Sequence, residues 1–92
     1  MEDRREDSLR RQALDAILKE REYQRDQWST EHDKEHGPAD WLNILVVYIG
    51  KLAYETPLYK MKGYARESFK KRLVQIAAIS MAAWEALSEP RR

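Results

Sequence analysis

The chain contains no cysteine, only three glycines and three prolines, and no marked excess of one charge. The absence of cysteine excludes disulfides, thiolate zinc sites and cysteine nucleophiles. Lys and Arg number 17 against 16 Asp and Glu, so the formal net charge is only +1. Nucleic-acid and membrane surfaces attract proteins with a one-sided basic patch. We therefore predict no nucleic-acid partner and no membrane partner.

Long hydrophobic runs are also missing. The longest weakly polar run, Val74 to Leu87, is too short to cross a bilayer and is interrupted by Gln75 and Glu85. The opening MEDRREDSLRRQ carries charges of both signs and no apolar segment, which is unlike a signal peptide or an anchor. A cytoplasmic location is the resulting expectation.

What the chain does contain is typical of a small helical domain. Of its 92 residues, 42% are hydrophobic and 36% are charged, which indicates a folded, helix-rich chain rather than a disordered one. A chain of this length is near the lower end of what builds its own core. We therefore predict one domain, 1–92, whose core is completed in a homodimer or homotetramer.

Three segments have the apolar spacing of amphipathic helices. This spacing predicts an all-α fold, a small bundle of three main helices over 5–27, 39–55 and 65–88. A loop over 28–38 and a connector over 56–64, beginning at Thr56-Pro57, separate them. The second helix is expected to be buried on most sides, and the alanine-rich third helix to lie at the centre. The predicted apolar faces are Leu9, Ala13, Leu14, Ile17 and Leu18; Trp41, Leu42, Leu45, Tyr48, Ile49, Leu52 and Ala53; and Phe69, Leu73, Ile76, Ala77, Met81 and Trp84.

The segment His32-Asp33-Lys34-Glu35-His36 fits the H-x-x-E-H pattern of inverted zinc proteases. Those proteases place both histidines on one helix, so that side chains four residues apart converge on the metal. Here Gly37-Pro38 follows at once, and proline suits the first turn of a new helix. The pattern is therefore better interpreted as a polar loop that caps the second helix, with Asp40 near the positive helix start. Adventitious metal binding by His32, Asp33 and His36 is a further alternative.

Aromatic rings and two cations form a second group of candidates. Trp28 and Trp41 lie on either side of the polar loop, and flat rings of this kind stack on bases or anchor subunits, although core packing is their commoner role. Lys51 and Arg72 are candidates for phosphate binding. They are equally candidates for a solvated face, or for ion pairs with Glu55, Glu67 or a subunit neighbour.

Three stretches together resemble a known family: EREYQRDQW, DWLNILVVYIGKLA and FKKRLVQIAAISMAAWEAL. They are similar to the MazG-like all-α nucleotide pyrophosphohydrolases, especially short members from phages and mobile elements. The resemblance covers roughly Ile17 to Leu87. It rests on the glutamate, arginine and glutamine before Trp28, the W-L-x-I-L helix start, Gly50, and the L-V-Q-I-A-A pattern.

The resemblance implies a magnesium site that this chain lacks. In the family, Glu-Glu-x-x-Glu on one helix and Glu-x-x-Asp on the next hold Mg²⁺ on a nucleoside triphosphate, and such hard ions require oxygen ligands. Aligned on Gly50, the first pattern falls on Val47, Tyr48 and Lys51, and the second on Arg72 and Gln75. All five family carboxylates are absent, so no cofactor is expected.

The leading prediction is a catalytically degenerate MazG-like protein that binds a nucleotide-like ligand or a protein partner in the former active-site pocket. One alternative is an active nucleoside triphosphate pyrophosphohydrolase, using Mg²⁺ on ligands relocated to the 31–36 loop. Another is a purely structural or interaction helical module. The predicted ligand-binding residues are Trp28, His32, Trp41, Tyr48, Lys51 and Arg72, and the alternative metal ligands are Glu31, Asp33, Glu35 and His36.

Overall fold

The computed structural model describes residues 2–27, 35–62 and 65–88, with side chains described for 4–27, 35–55 and 66–88. These residues form three helices, α1 (Glu2–Gln27), α2 (Pro38–Lys62) and α3 (Ala65–Ser88). No strand occurs in the described part of the chain. The prediction of an all-α, three-helix bundle is confirmed.

Helix α3 lies at the centre of the bundle and packs against both α1 and α2. Gln24 of α1 contacts the backbone of Gln75, and Arg21 contacts Glu85, so α1 and α3 run in opposite directions. On the other side, Glu55 near the end of α2 meets Arg72 near the start of α3. The central position expected for the third helix is therefore correct.

The core is small and lies mainly between α2 and α3. Trp41 of α2 packs with three residues of α3, Ile79, Ala82 and Ala83, and Ala78 is also fully buried. Small side chains allow two helices to approach closely, so the alanine-rich face of α3 leaves room for the large Trp41 ring. None of the three helices, as far as they are described, is long and apolar enough to span a membrane.

The predicted apolar face of α3 needs correction. Trp84 is 73% exposed and Leu73 is also exposed, whereas Ala78, Ile79, Ala82 and Ala83 are buried. The buried face is therefore rotated away from the one that the large side chains indicated. Because α3 has apolar or small residues on several sides, its neighbours decide which side becomes the core.

The predictions for α1 and α2 need the same correction. Helix α2 is not buried on most sides, since Leu42, Val46 and Ile49 are all more than half exposed. Every α1 position from 4 to 15 is exposed, including Leu9 and Leu14. The reason is geometric, because α1 contacts α3 through Arg21 and Gln24, in its C-terminal half.

Helix α2 begins as the sequence indicates but ends later. The backbone N–H of Gly37 donates to Asp40 Oδ2 at 2.9 Å, and the Gly37 carbonyl accepts from the N–H groups of Asp40 and Trp41. Asp40 therefore caps the Gly37 N–H as the third residue of a capping box does, and Pro38 lies in the first turn. The predicted connector over 56–64 is helical as far as Lys62, so Pro57 does not end the helix. Strong helix formers, Leu58, Lys60, Met61 and Lys62, follow that proline and favour continuation.

Candidate functional site

Three of the predicted ligand-binding residues meet at the contact between α2 and α3. Lys51 Nζ lies 4.9 Å from the centroid of the Tyr48 ring, and Arg72 Cζ lies 5.8 Å from it. Tyr48 and Lys51 are three residues apart on α2 and therefore share a face, while Arg72 reaches the ring from α3. Cations near an aromatic face at these distances are attracted by the ring quadrupole.

Glu55 completes this group, which we call the Tyr48 cluster: Tyr48, Lys51, Glu55, Arg72 and Gln75. Arg72 donates from Nε and Nη2 to Glu55 Oε1 at 3.0 and 2.8 Å, and from Nη2 to Oε2 at 2.9 Å. Its Nη1 donates to Gln75 Oε1 at 2.7 Å. The ion pair between Arg72 and Glu55, which the sequence offered as an alternative to phosphate binding, is present and links α2 to α3.

The guanidinium is therefore already engaged on both of its edges. The side chains of Arg72 and Glu55 are only 19% and 27% exposed, so water screens their attraction less than it would on an open surface. A phosphate would have to displace the Glu55 carboxylate to gain a forked contact with Arg72. Within the described residues, no carboxylate pairs with Lys51, and it is the accessible cation of the cluster.

The cluster contains four of the five positions to which the alignment on Gly50 assigned the carboxylates of the resembled family. Tyr48, Lys51, Arg72 and Gln75 lie together, and Val47, one helical turn before Lys51 on α2, is 52% exposed. Glu55 is the cluster's one acid. Within the described ranges, no group of three or more histidine, aspartate or glutamate side chains is arranged to hold a metal ion.

Trp41 belongs to the hydrophobic core rather than to an open pocket. It is 3% exposed, and its ring packs against His36 edge to face, with centroids 5.3 Å apart and planes at 86°. The indole Nε1 is buried and has no hydrogen-bond partner among the described residues. Trp41 thus supports the cluster indirectly, because Tyr48 packs against the same core.

The remaining predicted residues lie mostly in the segment between α1 and α2. Trp28, His32, Glu31 and Asp33 fall outside the described residues. Of the other two alternative metal ligands, Glu35 is exposed and His36 is half-buried beside Trp41. The enzyme alternative therefore stays a prediction. Its test is Mg²⁺-dependent pyrophosphate release from nucleoside triphosphates and the loss of that release in Asp33→Ala and Glu35→Ala.

Sequence reasoning missed a buried polar contact between α1 and α3. Arg21 is 8% exposed and donates to Glu85 Oε1 from Nη2 at 2.8 Å and from Nε at 3.3 Å. Gln24 is buried too and donates to Glu20 at 3.1 Å and to the Gln75 carbonyl at 3.4 Å. A signal was present, since Glu20, Arg21 and Gln24 all lie in the EREYQRDQW stretch that carried the family resemblance.

Comparison of the chain with models of known protein families, with curated proteins and with solved structures returns no match. The fold and the Tyr48 cluster define a class: a small three-helix protein in which an ion pair between two helices lies beside a tyrosine ring. The MazG-like assignment stays a prediction that rests on the three quoted stretches of sequence.

Proposed function

We propose that this protein is a non-catalytic helical interaction module, which acts by docking a protein chain against its exposed apolar helix surfaces. The observation that carries the proposal is the exposure of large apolar side chains on every helix, including Leu14 on α1, Leu42 on α2 and Trp84 on α3. Scattered exposed apolar residues are ordinary, but contiguous apolar faces on helices mark binding surfaces.

The extent of the whole surface supports the same function. The accessible surface is 7698 Å², whereas a compact monomer of 11.0 kDa exposes about 5,600 Å². The radius of gyration is 15.4 Å, against about 12 Å for a compact domain of this length. An open arrangement of this kind leaves more surface for a further chain to cover than a compact domain does.

The test combines sedimentation of the purified protein with titration of a dye that fluoresces on apolar surfaces. Expected results are either an assembly larger than one chain or a monomer that binds the dye while it keeps a cooperative unfolding transition. A well-folded monomer that binds no dye would overturn the proposal, because it would have no accessible apolar docking surface.

A second candidate function is the binding of a nucleotide-like ligand at the Tyr48 cluster of a degenerate MazG-like protein. The observation that favours it is the convergence of Tyr48, Lys51 and Arg72. A flat base would stack on Tyr48, and its phosphate would be bound by Lys51 as a point charge. The pairing of Arg72 with Glu55 is the reason that we rank this function second.

This candidate is tested by thermal shift against nucleoside mono-, di- and triphosphates, each with and without Mg²⁺ or Mn²⁺. Metal-independent stabilisation that is lost in Lys51→Ala and retained in Lys70→Ala supports it. Glu55→Gln removes the competing carboxylate charge from Arg72 and is expected to strengthen phosphate binding. An absence of any shift in both the native protein and Glu55→Gln rejects the candidate.

A further inference from the structure

The buried side of α1 is polar. Among the described residues, no side chain of α1 belongs to the hydrophobic core cluster, which α2 and α3 build between them. Leu14 and Leu18 are more than half exposed, and Ile17 is half-buried. The two buried side chains of α1 are Arg21 and Gln24. Separation of α1 from α3 would therefore expose few large apolar side chains, and loss of apolar burial is the main cost of opening a packed contact.

The polar contacts of α1 can be exchanged for contacts with water. Arg21 Nη2 lies 2.8 Å from Glu85 Oε1, and the Glu85 side chain is 48% exposed, so solvent already reaches one end of this ion pair. Gln24 donates to the Gln75 carbonyl at 3.4 Å, which is longer than most hydrogen bonds. The Gln24 Oε1 is buried and has no partner among the described residues. A buried acceptor of this kind regains hydrogen bonds to water on exposure, which favours the release of α1.

A strip of α3 lies beneath α1. Gln75, Ala78, Ala82 and Glu85 follow one another at spacings of three, four and three residues, which places them on one side of α3. The two ends of the strip contact α1, through the Gln75 carbonyl and the Glu85 carboxylate. Ala78 and Ala82, between these ends, are 0% and 4% exposed. We call this set, Gln75, Ala78, Ala82 and Glu85, the covered strip.

Helix α1 itself shows what kind of chain fits the covered strip. Its Arg21 donates to the Glu85 carboxylate, and its Gln24 donates to the Gln75 carbonyl. Positions three residues apart share a helix face, and alanines allow that face to lie close. Both groups that α1 binds on the strip are acceptors, so an occupant needs donors. A helix that presents an arginine and, three residues further, a second donor would make the same contacts.

From these observations we infer that α1 is a releasable cover, which opens without unfolding of α2 and α3 and so exposes the covered strip to a helix of another protein that carries these two donors. Segments with few buried apolar contacts open locally in this way, at a lower free energy than the whole protein. The inference extends the proposed docking function to a surface that is covered in this structure, and α1 regulates access to it.

Hydrogen exchange of the full chain, read by mass spectrometry, measures the opening of α1. We expect the amides of 16–24 to exchange faster than those of 76–83 in the native protein. Arg21→Ala should accelerate exchange of 16–24 at least about tenfold and leave 76–83 unchanged, because it removes a hydrogen bond between charged groups. Arg25→Ala is the matched control, since Arg25 lies on the same helix and is exposed, and it should change neither segment.

Two results of this experiment would overturn the inference. In the first, 16–24 and 76–83 exchange at the same rate and Arg21→Ala accelerates both together, so that α1 opens only with the whole protein. In the second, Arg21→Ala loses its helical circular dichroism altogether, so that α2 and α3 need α1 to stay folded. The proposed docking function would survive either result, because the surfaces that carry it are already exposed.

A peptide with the sequence of residues 9–27 tests whether the covered strip accepts a helix from outside. Release of α1 in Arg21→Ala makes the strip available for a larger fraction of the time, and apparent affinity rises with that fraction. By fluorescence anisotropy, the labelled peptide should therefore bind the full-length Arg21→Ala protein about tenfold more tightly than the native protein. The control is the same peptide with its own Arg21→Ala substitution. It should bind at least about tenfold more weakly, since it lacks the donor to Glu85.

The outcomes of the peptide experiment also separate this inference from the proposed function. An absence of binding to the Arg21→Ala protein overturns the covered strip as a docking surface, and so does equal binding of the two peptides, because recognition would not depend on Glu85. A native protein that binds no apolar dye, and yet opens α1 and binds the peptide, overturns docking on the exposed apolar surfaces and supports the covered strip.

Discussion

The ion pair between Arg72 and Glu55 is the residue-scale feature that links the two best-packed helices. Arg72→Ala should destabilise the fold by about 1–3 kcal/mol, because it leaves the partly buried Glu55 carboxylate without this guanidinium. Urea unfolding measures the change. Lys70→Ala is the matched control, since the pair formed by Lys70 and Glu67 is 3.6 Å apart and largely exposed, and such pairs contribute about 0–1 kcal/mol. Equal losses in the two variants would contradict the structural role of Arg72.

Also at the residue scale, Trp41 and Trp84 differ in burial and should therefore differ in their contribution to stability. Trp41 is buried in the core and Trp84 is 73% exposed. Trp41→Ala should cost about 3–5 kcal/mol through the cavity that it leaves, and Trp84→Ala should change stability by no more than about 0.5 kcal/mol. Unfolding followed by far-UV circular dichroism, which does not depend on either indole, measures both. A larger loss of stability in Trp84→Ala would show that Trp84 belongs to the core, as its helical spacing predicted.

At the scale of one element, the start of α2 depends on Asp40. Its side chain accepts the Gly37 N–H at 2.9 Å and lies at the positive end of the helix dipole. Asp40→Ala should therefore cost about 0.5–1 kcal/mol in unfolding free energy. Asp26→Ala is the control, because Asp26 lies in the last turn of α1, where an acid opposes the dipole. That variant should be neutral or slightly stabilising, and a loss equal to that of Asp40→Ala would contradict the capping role.

At the same scale, the two halves of α1 differ in burial. Positions 4–15 are all exposed, whereas Arg21 and Gln24 are buried against α3. Removal of residues 2–12 should therefore change the unfolding free energy by no more than about 0.5 kcal/mol. A thermal or urea unfolding curve of the truncated chain checks this. A loss of several times that value would show that α1 contributes to stability along its whole length.

At the scale of the whole molecule, stability should depend on protein concentration. Mass action raises the melting temperature of a protein whose folded chains associate, since association removes folded monomer from the unfolding equilibrium. We expect the melting temperature of the native protein to rise on concentration, since the sequence predicts a homodimer or homotetramer. Differential scanning calorimetry of the native protein over a range of concentrations measures the change. A melting temperature that does not change with concentration would contradict association of the folded chains.

The sequence by itself determined the local structure of this protein. Few glycines and prolines and a repeated helical spacing predicted three helices, and Pro38 with Asp40 marked the start of α2. The sequence also identified Tyr48, Lys51 and Arg72 as candidate ligand-binding residues. It gave Glu55 as an alternative ion-pair partner for Lys51 or Arg72. These features follow from interactions between residues near each other along the chain, or from the chemistry of one side chain.

Only the tertiary structure decided which faces of those helices are buried. Each helix carries apolar residues on more than one side, so the buried side depends on where a neighbouring helix lies. Packing through the alanines of α3 left Trp84 exposed, and contact through Arg21 and Gln24 made a polar side of α1 part of the interior. The same packing left Leu42, Val46 and Ile49 of α2 exposed among the described residues, because α1 lies against α3. Burial is thus decided by contacts between residues far apart in the sequence.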